Sequence, residues 1–201
     1  MRKLLLLDID GTIMDTKDIF YVSLQATMDA LSIDAELDQS LFGMSVDQAL
    51  SKLNIQSIPK AKKMWEDSFA ELCSRHGFYP GIEEMVKSVH ENGLLIYILT
   101  SRSHCTADPL CNDSAISSYI DGCVAAEDTT HHKPDPEPVR KVLGITGIKP
   151  EEAIYIGDTN QDYQAAKAAG VCFGLAGWNK NTVGVNYDYL LERPEDVLQY
   201  I

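Results

Sequence analysis

Long apolar runs are missing from this 201-residue chain, and none approaches the roughly 18–20 residues that a membrane-spanning helix needs. Met1-Arg2-Lys3 followed by four leucines has the charge order of a secretory leader. The run stops at Asp8, well short of the about 7–15 residues of a leader's apolar centre, so it reads as a buried strand. Paired cysteines are missing too. Cys73, Cys105, Cys111, Cys123 and Cys172 are odd in number and include no C-x-x-C, as expected of reduced thiols in a reducing compartment. A cytoplasmic protein is expected. Basic residues are scarce, 17 against 30 acidic ones, for a formal charge of −13. That field repels phosphate backbones, so neither nucleic acid nor a membrane is expected as a partner. It also opposes small anions. A site for one must be made positive locally, by a lysine, backbone N–H groups or a metal ion.

Hydrophobic residues make up 45% of the chain and charged residues 23%, an ordinary globular composition. Short apolar segments at 4–9, 94–100, 123–126, 153–157 and 172–176 read as strands buried on both faces. Helical patterns alternate with them. Residues 82–92 place Met85, Val86 and Val89 on one face, with Gly93 as a left-handed stop; residues 162–169 end at Gly170 in the same way. Such alternation predicts a parallel α/β sheet with right-handed crossovers. The 80-odd residues before the second strand break the rhythm, far beyond an ordinary connection. Phe20, Leu24, Met28 and Leu31 form one stripe. Ser45-Val46-Asp47-Gln48 looks like a capping box opening a helix through Leu53. Pro59 suits the first turn of another, with Trp65, Phe69, Leu72, Cys73 and His76 on one face. The expectation is an α/β core of residues 1–15 and 80–201 with an inserted helical unit at 16–79. Pro134, Pro136 and Pro138 read as one rigid turn region.

Four features at the predicted strand ends carry chemistry. In Asp8-Ile9-Asp10-Gly11-Thr12 the two carboxylates share a face where a strand ends, the usual ligand edge of open α/β sheets. Gly11 lets the backbone turn and approach a ligand closely. Alone, this pair supports nothing beyond strand-end capping. Gly157-Asp158-Thr159-Asn160-Gln161-Asp162 follows another apolar strand, so Asp158 and Asp162 face the same edge. Alone, it could be an N-cap. Four carboxylates together are poorly explained without a divalent cation, and oxygen-only ligands favour Mg²⁺ over Zn²⁺. Lys133, in the proline-stiffened His131-His132-Lys133-Pro134, could neutralise a phosphoryl group, though a loop lysine is usually solvated. Thr100-Ser101 could donate hydroxyls to phosphate oxygens or simply cap the strand.

In this order, the four features resemble the motifs of the haloacid dehalogenase superfamily, in its phosphatase branch. Asp8 to Thr12 is similar to its first motif, Thr100-Ser101 to its second, Lys133 to its third, and Gly157-Asp158 to Asp162 to its fourth. Residues 16–79 resemble its small helical cap, so the resemblance covers almost the whole chain. It implies a Rossmann-like core and Mg²⁺-dependent hydrolysis of a small phosphorylated metabolite. Asp8 would be the nucleophile and form an aspartyl phosphate. Mg²⁺ would be held by Asp8, the Asp10 carbonyl and Asp158, with Asp162 acting behind them or through water. Lys133, Thr100, Ser101 and the Gly11-Thr12 segment, with backbone N–H groups after Asp8, would bind the phosphoryl group. Asp10 would be general acid and then base. An acid at Asp10 argues against the dehalogenase and phosphonate-hydrolase branches. Ser101 departs from the asparagine or glycine common there. The short cap and Ala176-Gly177-Trp178-Asn179 look most like the phosphoglycolate phosphatase and pyrophosphatase-like group. A β-phosphoglucomutase-like phosphomutase is the nearest rival, and a non-catalytic phosphate-binding module a more distant one. A monomer or homodimer is expected. His104, Cys105, Cys111, His131 and His132 match no zinc spacing. Lys52, Lys60, Lys62 and Lys63 read as solvating helix faces.

Overall fold

Four consecutive leucines can be buried only if a layer covers each face of their strand, because neighbouring side chains point in opposite directions. The computed structural model, which describes all 201 residues, has that arrangement. The strands are β1 (Leu4–Leu7), β2 (Leu95–Leu99), β3 (Gly122–Val124), β4 (Ala153–Gly157), β5 (Cys172–Ala176) and β6 (Tyr189–Leu191). They form one sheet in the order β3-β2-β1-β4-β5-β6, with every neighbouring pair parallel. The helices are α1 (Lys17–Ala30), α2 (Val46–Lys52), α3 (Ile58–Cys73), α4 (Ile82–Glu91), α5 (His104–Asp113), α6 (Glu137–Thr146) and α7 (Asn160–Ala168). Leu5, Leu7 and Ile9 pack with Ile82, Met85 and Val86 of α4 and Ala107 of α5. Leu4 and Leu6 pack on the other face with Val139 and Val142 of α6 and Ala165 of α7. The result is a three-layer, Rossmann-like α/β fold, with β1 at its centre. No helix is long and apolar enough to cross a membrane.

A third cluster contains nothing from the sheet or its flanking helices. Ile19, Phe20, Leu24 and Met28 of α1 close on Leu50 of α2 and on Trp65 and Phe69 of α3. Trp65 and Phe69 stack at 4.4 Å, and the Trp65 indole N–H donates to the Phe20 carbonyl at 3.3 Å. The Ser45–Gln48 capping box opens α2 as its sequence predicts.

Two local expectations, on His76 and Pro138, need correction, and two further elements are unpredicted. α3 ends at Cys73, so His76 lies beyond it, exposed, with Nδ1 3.0 Å from the Leu72 carbonyl oxygen. Pro138 belongs to the first turn of α6, where its missing N–H costs nothing, and not to the preceding turn. α5 continues across Pro109, a residue that ordinarily argues against a helix. β6 has only Leu191 fully buried. It is docked by Asp188, whose N–H donates to the Phe173 carbonyl and whose carboxylate accepts the Phe173 N–H, a long-range pairing with no local pattern.

Leu6 is fully buried between the sheet and the α6–α7 layer. Leu6→Ala should lower unfolding free energy by roughly 2–5 kcal/mol, read from the denaturation midpoint at unchanged m-value.

Candidate active site

The chain leaves β1 through a tight loop. The Asp8 N–H donates to the Ile156 carbonyl at 3.0 Å, tying the strand end to β4. Ile9 then accepts from the N–H groups of Thr12, Ile13 and Met14, and the Gly11 N–H donates to the Met14 carbonyl at 2.7 Å. This turn puts Gly11 at φ +80°, and a Cβ there would collide with the Asp158 carboxylate. Glycine is needed for conformation and for clearance. The N–H groups of Ile9 and Asp10 have no acceptor within the chain, nor does the Asp10 carbonyl accept a hydrogen bond.

Lys133 enters from the loop after β3. It is 5% exposed, and its Nζ donates to Asp8 Oδ1 at 2.9 Å, Asp162 Oδ1 at 2.6 Å and the Tyr155 hydroxyl at 3.2 Å. The Tyr155 hydroxyl in turn donates to Asp162 Oδ1 at 2.7 Å. The other Asp162 oxygen accepts from the Thr159 N–H at 3.1 Å and hydroxyl at 2.5 Å, in the capping box that opens α7. One carboxylate therefore caps a helix and fixes the lysine. Asn179, after β5, donates through Nδ2 to the Gly11 carbonyl and to Asp158 Oδ2, both at 2.9 Å. The Trp178 indole donates to the Thr12 carbonyl at 2.9 Å.

Burial pushes the Asp8 carboxyl up to about 7; Asp162 and Asp10 add to the rise and Lys133 partly offsets it. Asp158 is raised well above the carboxylate range, by burial first and then by Asp162 and Asp8. Burial would raise Asp162 as well, but Lys133 outweighs it and holds the carboxyl low. Lys133 is raised because Asp162 and Asp8 outweigh its own burial.

Asp8, Asp158 and Asp162 offer oxygens that lie within 4.8 Å of one another. Asp158 Oδ1 is buried without any partner. Four carboxylates, Asp10 included, face two buried cations, Lys133 and Arg102, so full ionisation would leave two negative charges uncompensated. A divalent cation fits this oxygen-only set in charge and in chemistry. Both Asp162 oxygens are committed to Lys133, Tyr155 and Thr159, so its place is behind Asp8 and Asp158.

Asp10 is held by a partner absent from the sequence reading. Arg102 Nη2 donates to Asp10 Oδ1 at 2.7 Å and Nε to Oδ2 at 2.9 Å, while the Thr16 hydroxyl donates to Oδ1 at 2.5 Å. Burial would raise the Asp10 carboxyl, but Arg102 and Thr16 outweigh it and keep it below the usual value. The available signal was an arginine directly after Thr100-Ser101, in a chain poor in cations. Asn179 and Tyr155 gave weaker signals, a lone amide after β5 and a hydroxyl inside an apolar strand.

Asp8, Asp10, Ser101 and Lys133 line one pocket with Arg102, roofed by α1–α3 and the loop at Gly43. Asp158 and Asp162 sit beneath it. The Ser101 hydroxyl donates to the Gly43 carbonyl at 3.0 Å, and the Ser103 hydroxyl donates to Glu66 of α3. Thr100 is buried at the end of β2, its hydroxyl accepting the Arg102 N–H at 3.1 Å. Gly11 and Thr12 lie behind the pocket. The Gly11 N–H is already used, so the amides open to an anion are those of Ile9 and Asp10. Beside Lys133, His131 is exposed and His132 half-buried, and His131 Nδ1 lies 2.7 Å from Glu137 Oε2.

The profile of the haloacid dehalogenase-like hydrolases matches residues 5–176, and the chain belongs to that family. Pyrophosphatase PpaX of Bacillus velezensis is 27% identical over 96% of this chain and 94% of its own length. Phosphoglycolate phosphatase of Aquifex aeolicus is 25% identical over 98% and 95%. A crystal structure from Lactobacillus plantarum, of a protein provisionally assigned as a phosphoglycolate phosphatase, superposes with a TM-score of 0.87 at 26% identity over the whole of both chains.

The raised Asp8 carboxyl has a measurable consequence. Between its ordinary 3.8 and about 7 the native chain keeps a proton that the unfolded chain has lost. Its contribution to stability is therefore greatest at the acid end and falls as pH rises through 7. A bound cation competes with that proton. Mg²⁺ should raise the melting temperature more at pH 8 than at pH 5; equal increments at the two pH values would contradict this assignment.

Proposed function

We propose that this chain is a Mg²⁺-dependent phosphatase that hydrolyses a small phosphate monoester through an aspartyl phosphate on Asp8. The observation that carries the reading is Lys133, buried between Asp8 and Asp162 beside the unpartnered Asp158 oxygen. A carboxylate is a weak nucleophile and needs the charge on the phosphoryl group offset. Lys133 and the free N–H groups of Ile9 and Asp10 are placed to do so. Asp8, the Asp10 carbonyl and Asp158 would hold Mg²⁺, with Asp162 and Asn179 fixing their orientation. Mg²⁺ would supply further charge neutralisation on the phosphoryl oxygens.

In the first step Asp10 leaves Arg102 and takes up a proton from solvent; an Asp8 oxygen then bonds to phosphorus, the bond to the leaving oxygen breaks with its electron pair, and Asp10 gives that oxygen the proton. In the second, Asp10 takes a proton from water, whose oxygen displaces Asp8 and releases inorganic phosphate. Residues 16–79 act as the cap and residues 1–15 and 80–201 as the catalytic core. The substrates named for the relatives, pyrophosphate and phosphoglycolate, are the first to try. The closed pocket retains only about 30 Å³, room for little beyond ordered water, so the cap opens to admit substrate.

Phosphate release from a panel of small esters should require Mg²⁺, stop with chelator, and fall by roughly 10³-fold or more in Asp8→Asn. Turnover that persists in Asp8→Asn would refute the nucleophile. Phosphate retained on the protein and returned to a sugar would identify a mutase instead.

A further inference from the structure

The pocket has an uneven distribution of charge. The roof contributes Phe20, Phe42, Met44, Val46, Trp65 and Phe69, none of them charged and none offering a side-chain hydrogen bond toward the pocket. The floor contributes two cations. Lys133 is committed to Asp8, where the transferred phosphoryl group would sit. Arg102 is the other, 5% exposed, with its guanidinium 4.8 Å from the centre of the Phe69 ring and Nη1 donating to the Thr106 carbonyl at 3.2 Å. Nε and Nη2 both donate to Asp10, and Nη2 also makes a long 3.9 Å approach to Cys73 Sγ.

We infer that Arg102 determines substrate specificity, by exchanging Asp10 for a negative charge carried on the leaving group. This rests on the phosphatase reading above. Asp10 cannot face the leaving oxygen while both its oxygens remain on Arg102. Releasing it unpaired would strand a buried guanidinium, which is strongly unfavourable. A leaving group with its own carboxylate or phosphate removes the difficulty. Its anion takes the fork of donors and Asp10 turns toward the leaving oxygen. The substrate is therefore a small phosphate compound with an anionic leaving group, recognised from the core and not from the cap. A polyhydroxylated leaving group would leave its hydroxyls unpaired against the aromatic roof. It would also leave Asp10 on Arg102.

The test compares substrates of nearly equal size that differ in the charge of the leaving group. One pair is 2-phosphoglycolate against 2-hydroxyethyl phosphate, which differ in carboxylate against hydroxymethyl. The other is 3-(phosphonooxy)propanoate against 3-hydroxypropyl phosphate, which differ in the same way and have leaving oxygens of similar basicity. Loss of a charged hydrogen-bonding pair predicts that wild-type kcat/KM favours each anionic member by roughly 10- to 100-fold. Arg102→Met should bring the ratio for each pair close to one, and Arg102→Lys, which keeps charge but not the fork, should lie between. A wild-type ratio near one would overturn the inference, as would a ratio that survives in Arg102→Met. If Arg102→Met fails to fold, the wild-type and Arg102→Lys ratios decide alone. Failure of the phosphatase reading would look different: no phosphate released from any ester, 4-nitrophenyl phosphate included.

Discussion

A lysine held out of water between two carboxylates is the constraint on which the rest of the site depends. Lys133 is buried with its Nζ within 2.9 Å of both Asp8 and Asp162. Removing a charge from water is tolerable only where opposite charges and hydrogen bonds replace the lost hydration. Those partners come from distant parts of the chain: Asp8 follows β1, Asp162 lies in the first turn of α7, and Lys133 follows β3. They meet because β1 and β4 are adjacent and parallel, so that their carboxyl ends share one edge. The sheet order is thus the means by which three charges separated by as many as 154 positions come to be neighbours. Asp162 adds economy. One carboxylate satisfies N-terminal α7 and, through Tyr155 and Lys133, fixes the geometry at Asp8.

A second junction fixes the first and fourth motifs to each other. Gly11 has no side chain because the Asp158 carboxylate occupies the space, and Asn179 ties the Gly11 carbonyl to that carboxylate. Asp158 is left with one oxygen bound and the other buried and unpartnered. In a native protein such an atom calls for an explanation. A cation supplies one, and it also removes the charge imbalance of the cluster. In a chain carrying −13 overall, the charges that decide whether an anion is tolerated here are the local ones, which are screened little at this depth.

The fold was legible in the sequence to the extent that its signals were local and repeated. Leu4 to Leu7, Ile96 and Ile98, and Ile154 to Ile156 are buried on both sides, and uninterrupted apolar runs show that without any knowledge of neighbours. Turn glycines such as Gly93 and Gly170 also carry their meaning locally, at φ +82° and +79°. β6 was not legible, since its place depends on Asp188 reaching Phe173. The strand-end acids and Lys133 were visible because they stand where apolar runs stop. Arg102 was not assigned a role because its meaning lies in a contact with Asp10, 92 residues away. The sequence suggests Gly11 and Thr12 as ligand contacts, but their backbone groups are spent on Met14, Ile9, Asn179 and Trp178.

Three consecutive residues after Thr100 each meet a different partner across the pocket. The Ser101 hydroxyl reaches Gly43, Arg102 lies against Phe69, and Ser103 reaches Glu66. Arg102 alone among them also holds Asp10, so the contacts to the helical unit and the hold on that carboxylate share one short segment of backbone. Its first amide is fixed to β3 through Thr100, whose N–H donates to Val124 at 3.0 Å. A displacement of α3 therefore acts on the side chains of Arg102 and Ser103 while the segment stays anchored to the sheet at Thr100. The lysine side of the pocket has no such link, because Asp8, Lys133, Asp162 and Tyr155 are bonded to one another and not to the helical roof. The two cations consequently differ in what they are attached to: Lys133 belongs to the sheet edge, and Arg102 to the seam between that edge and the roof.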